Sequence, residues 1–195
     1  MIKLIFLLLF VIFIYLFILN KNKTILKTIN IKTKSGHSYL LYEDELQNNK
    51  AEMLNIIETN MYILKDHLVK NIDSFQKYKK YIKLLETNFT KDRTKIFESD
   101  PTTDLTSYSI NKGEEVAFCL KSKTRNYLYD INLLMYVAIH ELSHIACPDL
   151  GHGIRFKKIF KKFIQEAIKI KIYIKKNYNI QPVEYCGMVL NSSII

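Results

Sequence analysis

Ile131-Asn132-Leu133-Leu134-Met135-Tyr136-Val137-Ala138-Ile139-His140-Glu141-Leu142-Ser143-His144-Ile145-Ala146-Cys147 is the stretch on which the reading of this chain turns. Asp130 ahead of it is a good N-cap and Pro148 behind it a stop, so the spacing predicts a helix from about 131 to about 147. Its strongly polar side chains are Asn132, His140, Glu141, Ser143 and His144; the rest is nearly all apolar, so the helix should be buried on most sides. Burying two imidazoles and a carboxylate together is costly unless something binds them. A divalent cation does so. His144 lies one turn beyond His140 and about 40° around the helix, so both rings converge on one ion. Glu141 sits beside that ion, where its carboxylate reaches metal-bound water instead of replacing a ligand.

Two histidines leave a catalytic zinc site one protein ligand short. His152, framed by Gly151 and Gly153 in the loop that follows, is the natural third, giving His140, His144 and His152 as ligands of one Zn2+ and Glu141 as the catalytic base. Three other residues compete. Glu166 on the next helix could ligate in place of His152, although a salt-bridged surface position also suits it. Asp149 reads as a loop residue. Cys147 shares the His140/His144 face, and a closed structural site including it would leave Glu141 without a purpose.

Working outward, Phe156, Phe160, Phe163, Ile164 and Ala167 mark a long amphipathic helix to about Lys175, with eight lysines between Lys157 and Lys176 on its other face. The tail from Pro182 to Ile195 reads as irregular or a terminal strand. Upstream, Thr106–Ile110 and Glu115–Leu120 flank Asn111-Lys112-Gly113, a β-hairpin pattern with Gly where positive φ is needed. Thr94–Glu98 is a short strand candidate. Met53, Ile57, Met61, Leu64 and Leu68 recur at helical steps, as do Phe75, Tyr78, Ile82 and Leu85. His37 and His67 read as ordinary surface histidines. Residues 25–42 form either a small hairpin or a spacer.

The chain has 195 residues, 48% of them apolar, and 29 Lys+Arg against 19 Asp+Glu. From Ile2 to Leu19 every residue but Lys3 is apolar, close to the roughly 20 residues that cross a hydrocarbon core. No small-x-small cleavage pattern follows it. The expected organisation is therefore a transmembrane anchor over 1–20, a juxtamembrane spacer or hairpin over 21–44, and one domain over 45–195. Lys21, Lys23, Lys27, Lys32 and Lys34 follow the apolar run, which by the positive-inside rule puts the domain of this single-pass membrane protein on the cytosolic side. Of the 29 basic residues 26 are Lys, a bias typical of an AT-rich genome and a weak nucleic-acid signal. Cys119, Cys147 and Cys186 cannot all pair within one chain, and an odd, sparse count fits a reducing compartment better than a disulfide framework.

His140-Glu141-Leu142-Ser143-His144 followed by Gly151-His152-Gly153-Ile154-Arg155-Phe156 resembles the SprT-like and WLM-domain zinc metallopeptidases, strongly over 130–167 and faintly elsewhere. It is also similar to short membrane-anchored members of that group encoded by large DNA viruses. The resemblance implies His140, His144 and His152 as zinc ligands and Glu141 as general base. It also implies an α+β zincin-like fold: an active-site helix, a small antiparallel or mixed sheet and flanking helices, here preceded by the N-terminal transmembrane helix. In that fold an edge strand, expected at Glu115–Leu120, would align an extended peptide over the site. Ile154 and Arg155 stand where SprT-like relatives often carry a proline and an acidic residue, and no Cys-x-x-Cys ribbon follows, which argues against DNA–protein crosslink repair.

The expected function is thus a membrane-anchored zinc metallopeptidase with a protein or peptide substrate. Its other expected partner is the lipid bilayer of a viral or host membrane. A protease acting on nucleic-acid-bound proteins, and a non-catalytic membrane protein with a structural zinc, are the alternatives, nucleic acid being the less favoured partner. An oxyanion partner is also required, for which Tyr185 and Tyr178 are the candidates.

Overall fold

The structure, a computed structural model, describes residues 26–195 together with Phe10, Ile12 and Ile14. Among the described residues it is α+β, with four α-helices, a mixed five-stranded sheet and a separate two-stranded hairpin. The strands are β1 (Thr28–Lys32), β2 (Ser38–Tyr42), β3 (Lys95–Glu98), β4 (Tyr108–Ile110), β5 (Glu115–Phe118), β6 (Val183–Tyr185) and β7 (Met188–Leu190). The helices are α1 (Gln47–Lys70), α2 (Lys79–Asn88), α3 (Ile131–Ala146) and α4 (Ile154–Lys169), with a 3-10 segment, Ile72–Tyr78, between the first two.

The main sheet runs β1-β2-β3-β5-β4, with β2, β3 and β5 mutually parallel and both outer strands antiparallel to their neighbours. The β1–β2 hairpin is thus part of the sheet, so the folded unit starts ahead of residue 45. The edge strand is likewise not the one expected. β5 lies between β3 and β4, and its residues Val116, Ala117 and Phe118 are all buried; the sheet's edges are β1 and, on this side, β4.

α1 presents Ala51, Leu54, Ile57, Met61, Leu64 and Leu68 to the core, and α2 adds Ile82 and Leu85. These pack on α3, which is covered also by α4. Asp130 caps α3 by accepting hydrogen bonds from the backbone N–H groups of Asn132 and Leu133, at 3.0 and 3.3 Å. α4 stops at Lys169 rather than near Lys175.

No helix among the described residues is long and apolar enough to cross a membrane. α1 is long but amphipathic, with a charged outer face; α4, also amphipathic, and the apolar α3 have only 16 residues each, and α3 carries His140, Glu141 and His144. This overturns the expected transmembrane helix, and with it the single-pass membrane placement. The apolar run over 1–20 on which that expectation rested lies, but for positions 10, 12 and 14, outside the described residues.

The cysteine reading is corrected too. Cys119 and Cys186 form a disulfide across 67 residues of chain, with Cα atoms 6.1 Å apart, and Cys147 is the free, buried one. An odd count excludes complete pairing but not one bridge plus one cysteine used as a small core residue.

Two buried ionic clusters tie helices to the rest. Lys50, fully buried on α1, donates to both oxygens of Glu98 on β3, at 3.0 and 2.9 Å, and to the Tyr42 carbonyl at 2.8 Å. Burial pushes the Glu98 carboxyl up and the Lys50 ammonium pulls against it. Lys50→Ala should destabilise the fold by about 3–5 kcal/mol in urea denaturation, because it strands a buried carboxylate.

Glu166 on α4 accepts from Lys162 and Lys169 at 2.7 Å each and faces His67 Nε2 at 3.0 Å, joining α4 to α1. Burial raises its carboxyl, but Lys162, Lys169 and His67 outweigh this and bring it from 4.5 to about 2. A carboxyl depressed on folding stabilises above its unfolded value and loses that contribution as pH falls through the folded one. Glu166→Gln should therefore be less stable than the parent at neutral pH, with the gap closing between pH 4.5 and about 2 in acid-unfolding curves.

Candidate metal centre

The cap at Asp130 fixes where α3 begins, and its apolar pattern turns Leu142, Ile145 and Ala146 into the core while His140 and His144 stay half-buried at its open side. Cys147, in extended conformation, ends the helix ahead of Pro148. The chain then reverses through Leu150 and Gly151, the latter at φ 72°, and brings His152 back over α3 before Gly153 starts α4.

The three imidazoles meet by their Nε2 atoms. His140 to His144 is 3.1 Å, His144 to His152 is 3.0 Å and His152 to His140 is 3.0 Å. Three nitrogens at the corners of so small a triangle aim their lone pairs at one point, a repulsive arrangement that a shared cation relieves. Zinc bonds of about 2.0–2.1 Å in tetrahedral geometry separate such nitrogens by about 3.3 Å, within a few tenths of an ångström of these distances. The donor set fits a divalent metal. Burial, then the neighbouring ring charges, lower His140 to about 3; burial, His152 and Lys112 lower His144 to about 4. Both rings are neutral at ordinary pH, the form that ligates.

One phenyl ring braces all three imidazoles. Phe156, in the first turn of α4, stacks on His144 with centroids 4.2 Å apart and meets His140 and His152 at 4.9 Å each. Phe160 adds an edge contact to His140 at 5.1 Å.

Glu141 is 4% exposed and lines the same cleft as the histidines. Burial raises its carboxyl to about 7, while a hydrogen bond from the Ser109 hydroxyl on β4 works against the rise. The cleft, of about 620 Å³, is walled by Ser107–Ser109 along β4, Tyr136 and Val137 of α3, the 149–152 loop, and Tyr185, Met188 and Leu190 of the β6–β7 hairpin.

The competing ligands go elsewhere. Glu166 is engaged by His67, Lys162 and Lys169, and Asp149 pairs with Arg155. Cys147 is fully buried and does not join the three histidines. His67, expected on the surface, is half-buried through Glu166, while His37 is exposed. Tyr185 faces the cleft, its hydroxyl shared with Ser107 Oγ; Tyr178 instead packs against Tyr136 and does not line the cleft. Sequence reasoning did not single out Ser109 or Lys112 as parts of the site. The available signal was their place beside the Asn111-Lys112-Gly113 turn, whose contact with α3 only the fold reveals.

No family model matches the chain, and no solved structure matches it. "Uncharacterized protein 136R" of Invertebrate iridescent virus 6 is 39% identical over 70 residues, covering 34% of this chain and 38% of that protein. "Uncharacterized protein 042R" of Invertebrate iridescent virus 3 is 32% identical over 85 residues, covering 44% and 52%. "Uncharacterized protein R325" of Acanthamoeba polyphaga mimivirus is 38% identical over 161 residues, covering 83% of this chain and 81% of that protein. With that identity sustained over most of both sequences, the chain belongs to the same family as the mimivirus protein.

Proposed function

We propose that this chain is a zinc-dependent metallopeptidase, with His140, His144 and His152 as ligands of one ion and Glu141 as its general base. The reading is carried by one observation: three imidazole nitrogens 3.0–3.1 Å apart share an open cleft with a buried glutamate from the same helix. The likeness of the motif to SprT-like and WLM-domain peptidases supports it.

A zinc ion held by His140, His144 and His152 would supply Lewis acidity toward water and a peptide carbonyl. The remaining work falls to side chains. His140 and His144 stay neutral and hold their orientation through Phe156. Glu141, steadied by Ser109, takes the proton of the attacking water and returns it to the leaving amine. The free edge of β4 offers backbone N–H and C=O groups to an extended substrate running beside the histidines. Tyr136, Val137, Tyr185, Met188 and Leu190 give the cleft an apolar lining against which a substrate side chain can rest. An open cleft with an exposed third histidine favours catalysis over a closed structural site.

Metal analysis of the purified chain should find one zinc per molecule, and a peptide library should be cleaved. Glu141→Gln should keep the zinc and lose about 10²–10⁴-fold in hydrolysis. Full activity in that variant refutes the base assignment, and a parent chain that takes up no zinc refutes the whole reading. His152→Ala should lower zinc content; unchanged stoichiometry removes it from the ligand set.

A further inference from the structure

The loop from Cys147 to Gly153 must carry an exposed histidine to within 3.0–3.1 Å of two rings fixed on a helix. Among the described residues its backbone from 148 to 152 makes no hydrogen bond to other backbone groups. Two cations supply what the backbone does not. Lys112 Nζ donates to the carbonyls of Cys147 at 2.7 Å and Asp149 at 3.0 Å, and at longer reach to that of His144 at 3.4 Å. Arg155, from the first turn of α4, donates to the Asp149 carboxylate. Asp149 is therefore held from both sides, three residues before His152.

The turn bearing Lys112 is built for this reach. Asn111, Lys112 and Gly113 have φ of 48°, 55° and 103°, three left-handed residues in succession. For a lysine that conformation costs on the order of 1 kcal/mol or more, and it persists only where the surroundings impose it. The surroundings are visible at Gly113, where an added Cβ would lie 3.1 Å from the Ile145 side chain and 3.2 Å from the Asn88 carbonyl. The turn is pressed against the last turn of α3, and the lysine side chain runs from there to the helix end. An ammonium has three N–H donors and here meets three carbonyls, two of them on α3's last turn and its cap, where positive charge also suits the helix dipole.

We infer that Lys112 and Arg155 are positioning residues that clamp the 147–153 loop and so hold His152 in register with His140 and His144. This rests on the metal-centre reading above. Neither cation ligates the ion or touches the reacting atoms; their effect is on how completely the third nitrogen is delivered. Arg155 is also where this chain departs from the SprT-like pattern, so the clamp belongs to this sequence and not to the resemblance.

The test is metal affinity of the full chain, measured by Zn2+ competition with a chromogenic chelator and by the visible spectrum of the Co2+ form. Lys112→Met should bind Zn2+ about 10–100-fold more weakly and give a Co2+ spectrum altered toward that of His152→Ala. Lys112→Arg, which can still donate to the carbonyls, should recover most of the affinity, and Arg155→Met should weaken binding in the same direction. Glu166→Gln, which loosens the fold away from the site, should leave affinity and spectrum unchanged. Parental affinity in Lys112→Met, or an equal loss in Glu166→Gln, overturns the clamp while leaving the metal centre standing. A parental chain that binds neither ion overturns both. Should Lys112→Met fail to fold, Arg155→Met decides by the same two readouts.

Discussion

Three imidazole nitrogens facing one another across about 3 Å are a constraint that the surrounding protein has to sustain. Left alone, their lone pairs would drive the rings apart, and water would solvate each separately. What prevents this is rigidity on every side. His140 and His144 project from a helix whose other faces are packed by α1, α2 and α4, and Phe156 backs all three rings at once. The helix leaves a single side open, and there the rings, Glu141 and the free edge of β4 share one cleft. The sheet, the helical layer and the loop can all be understood as the means of keeping that one side open and the others closed.

Local signals in the sequence led directly to some of this. The His140/His144 spacing, the Asp130 cap, the Pro148 stop and the glycine-framed His152 are all encoded within about twenty residues, and each acts through short-range geometry. The same is true of the turn at 111–113 between β4 and β5. Features made by distant segments were not legible. β1 and β2 enter the sheet through pairing of Leu40 with Phe97, and β5 becomes internal because β3 pairs with it across an intervening loop and strand. Burial of Lys50 beside Glu98 joins residues 48 apart, and nothing in either neighbourhood announces it.

The cysteines and the apolar head show a different limit. A count of three forbids complete pairing but says nothing about which two meet, and Cys119 and Cys186 are brought together only when the C-terminal hairpin folds back over the sheet. Apolar composition likewise measured transfer free energy along one segment, whereas the helices of the described chain reach stability by packing one face each against a shared core. Glu166 shows the same limit: two lysines and His67 hold it against α1, ten residues along α4 from the Phe156 that braces the histidines.

The disulfide bears on how the molecule must be handled. Cys186 occupies the tip of the hairpin that forms one wall of the cleft, and Cys119 follows the strand β5 at the interior of the sheet. That wall is covalently moored to the scaffold rather than merely leaning on it. A preparation kept in strong thiol reductant is then a chemically distinct species, with the mooring cut and the width of the cleft mouth left to weaker contacts such as the Ser107–Tyr185 hydroxyl pair.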